Sequence, residues 1–242
     1  MQNSFEKLPK KFQPKGLSLI YEDRDLLVVD KMAALLTVAS DSVTENTAYY
    51  ILTEYVRKGN PKSRNRLFIV HRLDRDTSGV LVFAKNEQAK NYLQDEWSGF
   101  KKIYSAVVHG SLQKKEGIIS TYLAENIAHK MYSTNDPKKG KLAKTGYKVI
   151  EKSEKFSLLE IDLLTGRKNQ IRAHLSEKGH PVAGDKVYGV TEKGKGKGRR
   201  RGDGVKRLML HAASITLLHP YTKKTMTFDA QVPASFKTLL KE

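Results

Sequence analysis

The chain has 242 residues, with 44 Lys+Arg against 26 Asp+Glu, a formal net charge of +18. That length buries a real core as one large domain or two small ones, and 39% hydrophobic with 29% charged residues excludes both a disordered tail and a membrane-spanning bundle. Cysteine is absent, which excludes disulfides, thiolate metal sites and cysteine nucleophiles, and fits a reducing cytoplasm.

Residues 1–15 carry Lys7, Lys10, Lys11 and Lys15 among two prolines and read as a flexible basic extension without the apolar stretch of a secretory signal. Leu17–Tyr21 and Leu26–Val29 read as strands around the acidic turn Glu22–Asp25, and Thr44–Arg57 has helical spacing. After a basic loop, Arg57–Arg66, come two apolar runs, Leu67–Val70 and Val80–Phe83, read as strands buried on both faces with a polar loop between them. Neither approaches the roughly 20 residues that a bilayer requires. Asn86 is the expected N-cap of a helix carrying Ala89, Tyr92, Leu93 and Trp97. Strands are predicted at Lys102–Val108, Ile118–Leu123, Gly146–Ile150, Phe156–Leu163 and within Leu208–Leu218, with helices at Lys168–Lys178 and Ala234–Lys241. Glu192–Lys206 has seven basic residues against two acidic, +5, and its alternating Gly and Lys read as a flexible exposed loop. Strands outnumber helices without βαβ alternation, so the class is α+β with a mixed, mostly antiparallel central sheet flanked by helices. The expected organisation is one domain over 16–242.

So large a positive excess points to a polyanionic partner, with nucleic acid ahead of a membrane surface or of a merely basic enzyme. The strongest candidate site is His71-Arg72-Leu73-Asp74-Arg75-Asp76-Thr77-Ser78-Gly79. Charges at the edge of a core are expensive unless paired. A carboxylate beside Arg stays ionised, as a nucleophile or general base requires. The plainer alternative is an Asp-rich turn in which Asp76 or Ser78 caps backbone amides. In Thr165–Leu175 a strand gives way to a basic helix on which Arg172 and Leu175, three apart, are neighbours; a cationic surface helix is the alternative. In Lys102-Ile103-Tyr104 alternation places Lys102 and Tyr104 on one strand face, where a tyrosine is most often core. The seven histidines show no HxH, HxxxH or HExxH spacing, and no phosphate-binding glycine fingerprint or nucleophile elbow is present.

Taken together, HRLDRDTSGVLVFAK, KIYSAVV, TGRKNQIRAHL, GHPVAGDKVYG and RLMLHA…LLHP, in this order from about residue 18 to 232, resemble the RluA-like branch of the RNA pseudouridine synthases. The resemblance implies the pseudouridine synthase fold and an isomerase that converts uridine in RNA to pseudouridine without cofactor or metal. It implies catalytic roles for three residues. Asp74 is the catalytic carboxylate, Tyr104 stacks on the uracil and assists proton removal, and Arg172 pairs with the aspartate. Arg72 enters the space left by the flipped uridine, Ile171 and Leu175 supply apolar walls, and Arg167 is counted among the substrate-binding residues. Base extrusion suits a reaction at C1′ and C5, which are out of reach in a stacked helix.

Two positions depart from the family pattern. Lys31-Met32-Ala33-Ala34 stands where Lys-Pro-x-Gly is common, which puts the shape of that turn in question. Asn169 replaces a histidine before Gln-Ile-Arg and cannot titrate. No S4-type RNA-binding module is expected ahead of the first strand. The expected partner is large-subunit rRNA or tRNA, in the cytoplasm, with a monomer favoured and no membrane association. The competing readings are a non-catalytic RNA-binding or ribosome-assembly factor on the same fold and, less in keeping with the motifs, a nucleoside hydrolase.

Overall fold

Short segments of alternating or continuous apolar residues make strands that need cover on one or both faces. In the computed structural model, which describes residues 14–39, 43–58, 60, 62–190 and 204–241, these strands gather into two units. One takes residues 1–100 and 212–231, the other 101–211 and 232–242, where the sequence reading expects one domain over 16–242. The basic extension up to residue 13 and positions 191–203 of the Gly/Lys loop lie outside the described residues.

The elements begin with β1 (Leu17–Glu22), β2 (Leu26–Lys31), α1 (Ala48–Arg57), β3 (Phe68–Ile69), β4 (Ser78–Ala84) and α2 (Glu87–Asp95). They continue with β5 (Lys101–His109), β6 (Glu116–Glu125), β7 (Met131–Thr134), β8 (Lys141–Lys152), β9 (Phe156–Leu163) and α3 (Gln170–Glu177). β10 (Leu210–Leu218), β11 (Thr225–Asp229) and α4 (Ser235–Leu239) follow. No helix among the described residues is long and apolar enough to cross a membrane.

The first unit orders its strands β1-β2-β4-β10, with β11 on β10 and β3 on β4. All seven residues of β4 are buried, as its continuous apolar run requires. Leu26, Val28, Val80 and Val82 pack with Ala89 and Leu93 of α2 and with Ile215, Leu217 and Phe228. Asn86 caps α2 as expected, its Oδ1 accepting the Ala89 N–H at 2.8 Å. Thr47 caps α1 by accepting the Tyr50 N–H, so this helix starts at Ala48 rather than at Thr44. The Leu67–Val70 run departs from expectation. Only Phe68 and Ile69 pair, with Ala84 and Phe83, and Ile69 is exposed. So short an edge strand has no second layer to cover its outer side chain.

The second unit runs β5-β9-β8-β6-β7, antiparallel at each step. Ala106, Val108, Leu159 and Ile161 pack against Ile171 and Leu175 of α3 and Phe236 and Leu239 of α4. β7 and β11 carry no apolar run and were not expected. Their turns supply what composition does not: Asn126 bonds Lys130 through both its backbone N–H and its side-chain oxygen, each at 3.0 Å, and places β7 beside β6.

At the end of β2 the turn lacking a glycine still contains a left-handed residue, Ala34 at φ +66°. The left-handed region costs an alanine about 1–2 kcal/mol, and Ala34 is exposed, with no packing to compensate. Ala34→Gly removes that strain and adds about 0.5–1 kcal/mol of backbone entropy cost. The net expectation is a stabilisation of about 0.5–1 kcal/mol, read as a melting temperature raised by about 1–4 °C; a lowered one would show that the turn carries no strain.

Candidate active site

The loop between β3 and β4 holds Asp74, and its backbone is fixed on both sides of that residue. Thr37 Oγ1 accepts the Leu73 N–H at 3.1 Å and donates to the Leu73 carbonyl at 2.8 Å. Lys31, wholly buried, donates to the carbonyls of Met32, Leu35 and Arg75 at 3.0, 2.8 and 3.2 Å. The Thr77 N–H closes a turn onto the Asp74 carbonyl at 3.2 Å. His71 accepts the Val82 N–H on Nε2 at 3.0 Å and stacks on Trp97 with ring centroids 4.4 Å apart. Nε2 is therefore unprotonated, and a neutral ring carries its hydrogen on Nδ1. Gly79, opposite Lys31 in the β2–β4 register, sits at φ +114° where a Cβ would fall 2.1 Å from the Ala212 carbonyl oxygen. On this rigid frame Asp74 is half-buried and Arg72 exposed. The pair formed between neighbours in the loop is Arg75 with Asp76, at 3.4 Å and largely in solvent, where it contributes little.

The second unit carries the other predicted residues. Tyr104 is half-buried and packs on the cluster containing Ile171 and Leu175. Leu175 is completely enclosed and Ile171 nearly so. Lys102, one alternation before Tyr104, is buried as well; burial pulls its ammonium below the ordinary lysine range while the charge of Asp162 pulls the other way. Arg172 is buried and forms a two-bond pair with Asp185, Nε to Oδ2 at 2.7 Å and Nη2 to Oδ1 at 2.9 Å. Arg167 stands apart from that pair, exposed at the start of α3, donating to the Leu142 carbonyl at 3.1 Å.

Reading residue types alone missed the hub that seats α3. Gln170 donates to the Lys144 carbonyl and to Thr145 Oγ1, and accepts from the Thr165 hydroxyl and the Arg167 N–H. Thr145 Oγ1 is also hydrogen-bonded to His174 Nδ1 at 2.9 Å. His174 Nε2 is hydrogen-bonded to Thr121 Oγ1 at 2.9 Å, so both ring nitrogens have a hydroxyl partner. Helical spacing places Gln170 and His174 on one face, but only the fold shows that face to be polar and buried.

Histidine spacing also did not reveal Asp23, Asp25 and His219, whose ligand atoms lie within 4.8 Å of one another. Hydrogen bonds account for the arrangement. His219 Nδ1 accepts the N–H groups of Tyr221 and Thr222, which leaves Nε2 as a donor to Asp23 Oδ2 at 2.7 Å. Burial raises the Asp23 carboxyl, but bonds from Tyr21, Leu26, His219 and Asp25 outweigh it and hold it below the usual range. The cluster ties the β10–β11 turn to the β1–β2 turn.

The sequence pattern of the family described as RNA pseudouridylate synthase matches residues 25–177, a span that takes in Asp74, Tyr104 and Arg172. The chain belongs to this family. An uncharacterized RNA pseudouridine synthase of Mycoplasma genitalium is 37% identical over 229 residues, 93% of this chain and 70% of that protein. Ribosomal large subunit pseudouridine synthase D of Nitrosomonas europaea is 34% identical over 93% of this chain and 64% of its own length. The solved structure of human RNA pseudouridylate synthase domain containing 1 superposes with a TM-score of 0.69 at 28% identity, covering 89% of this chain and 83% of that one. The family's reaction is isomerisation of uridine in RNA.

Two tests follow from the scaffolding. Lys31→Met leaves the Leu35 and Arg75 carbonyls without their buried donor, at about 1–3 kcal/mol each, so the chain should unfold at lower denaturant, with amide exchange in 71–78 speeded most. Uniform exchange across the first unit would show that Lys31 does not hold the loop. His174 is kept neutral chiefly by burial, which lowers its pKa from the ordinary 6.5. The unfolded chain therefore binds the proton more readily. His174 stability is complete above pH 6.5 and is lost as pH falls below it through the lower folded value. Urea midpoints should fall from pH 7.5 to 5.5, and less steeply in His174→Asn; equal slopes would remove His174 as the cause.

Proposed function

We propose that the protein isomerises particular uridines of large-subunit rRNA or tRNA in the cytoplasm, with Asp74 as the catalytic carboxylate. The observation that carries the reading is the loop itself: the residues on both sides of Asp74 are fixed by Lys31 and Thr37, while Asp74 itself is half-buried. Backbone so constrained suits a group that must meet a reacting atom within a few tenths of an ångström. A relative named for the large ribosomal subunit supports rRNA ahead of tRNA.

In this reading the target uridine leaves the RNA stack and Arg72 enters the vacated space. The uracil stacks on Tyr104, recovering about 1–3 kcal/mol, with Ile171 and Leu175 behind that ring. Arg172 acts as the basic residue of the site, offering charge-assisted N–H donors to the reacting group. The N1–C1′ bond breaks, the uracil turns while enclosed, C5 bonds to C1′, the C5 hydrogen leaves as a proton and N1 takes up a proton from solvent. The nucleotide keeps its composition.

Asp74→Asn separates catalysis from binding. On bulk RNA from a strain lacking the protein, labelled with tritium at uridine C5, tritium release should fall by about 10²–10⁴-fold. Affinity should stay level or tighten slightly, because one negative charge is lost near phosphates. Release at the wild-type rate would overturn the role of Asp74. Release of neither tritium nor uracil by the wild-type chain would instead favour a binding factor, and free uracil a hydrolase.

A further inference from the structure

Arg172 is held on two sides. Asp185 fixes its plane through two parallel bonds, and the Tyr188 ring lies against it, 5.2 Å from guanidinium carbon to centroid. The Asp185 side chain is wholly enclosed, and its backbone has little freedom. A Cβ at Gly184 (φ +73°) would fall 1.9 Å from the Arg207 carbonyl oxygen, and one at Gly189 would fall 2.1 Å from that of Asp185. An aspartate in such a turn has an ordinary use, and Asp185 has it: Oδ1 accepts the N–H groups of Val187 and Tyr188 at 2.8 and 2.9 Å. That use requires one oxygen. Oδ2 is directed to Arg172 Nε, and a fork-to-fork pair sets the direction of every other guanidinium N–H. Burial raises the Asp185 carboxyl, but Arg172 and the two backbone N–H groups outweigh it and keep it an anion.

We propose that Asp185 is a positioning residue for the isomerisation, acting through Arg172 by fixing the direction in which the remaining guanidinium N–H groups meet the reacting site. The proposal rests on the role assigned to Arg172 under the proposed function. Two of the five N–H groups bond Asp185, and the other three are aimed by that bond. The pair is also neutral as a unit, so Arg172 is not drawn out of place by RNA phosphates. Asp185 lies outside the 25–177 span matched by the family pattern, thirteen residues from its partner.

The test is a double-mutant cycle on the full chain, with Asp185→Asn, Arg172→Lys and both together, read by single-turnover tritium release from the C5-labelled bulk RNA at saturating enzyme. RNA affinity and thermal melting are measured alongside. Asn keeps an oxygen for Val187 and Tyr188 but breaks the fork. Asp185→Asn should slow the rate constant about 10–100-fold with affinity changed less than about twofold. It should add nothing once Arg172→Lys has removed the fork from the other side. A rate within about twofold of wild type in folded Asp185→Asn protein would overturn the proposal, and so would losses that multiply in the double variant. Wild-type activity in Arg172→Lys would overturn the role of Arg172 itself, a separate outcome visible in the same set. If Asp185→Asn melts below the assay temperature, Asp185→Glu replaces it: it keeps the charge and misplaces the fork by one methylene. A smaller loss that vanishes in the Arg172→Lys background supports the proposal, and a multiplying one overturns it.

Discussion

A fully buried ammonium governs the first unit. Removing a charge from water costs several kcal/mol unless other dipoles replace the solvent. Lys31 meets that requirement with the carbonyls of Met32, Leu35 and Arg75. Those acceptors come from two segments that must therefore approach one point, the turn after β2 and the loop before β4. The strained Ala34 is intelligible on these terms: the turn adopts the shape that presents Met32 and Leu35 to the ammonium, and a left-handed alanine at about 1–2 kcal/mol is cheaper than an unsolvated charge. Asp74 inherits its position from this arrangement, one residue before the carbonyl that Lys31 binds.

The second unit solves the same problem with the signs shared. Arg172 is buried against a buried carboxylate, and α3 is seated by a polar network through Gln170 and His174 rather than by apolar packing alone. Satisfied buried polar groups of this kind favour one arrangement over near alternatives, because each has a partner only in the native register. Apolar residues on the adjoining stripe of α3, Ile171 and Leu175, add cohesion without direction. The helix therefore carries its orienting and its cohesive contacts on neighbouring stripes.

Much of this was legible in the sequence, and the parts that were not share a cause. The Asp74 loop stands out because five charged or titratable residues interrupt two apolar runs, and Asn86 announces its cap by type and position. The basic helix around Arg172 was visible from spacing, and so was the shared face of Lys102 and Tyr104. The role of Lys31 was not legible, since a lysine closing a strand ordinarily reaches water. Asp185 was visible only as a letter in a motif, because a pair thirteen residues apart is made by the chain's return past α3. β7 and β11 were missed because they owe their existence to turns and neighbours rather than to apolar runs, and Ile69 was misjudged because burial depends on the next layer.

The net charge of +18 does not describe the site. Arg172 is cancelled by Asp185, and Lys31 faces carbonyls inside the protein, so neither projects much field into solvent. The field outside the protein comes from exposed groups such as Lys138, Lys139, Lys144 and Lys168, and it weakens within a Debye length of about 8–10 Å. These two populations respond differently to salt. Counterion release makes phosphate binding fall steeply as salt rises, whereas enclosed pairs are screened little. The charge of this chain is thus divided physically: the long-range field follows the number of exposed cations, and local order follows the placement of a few enclosed ones.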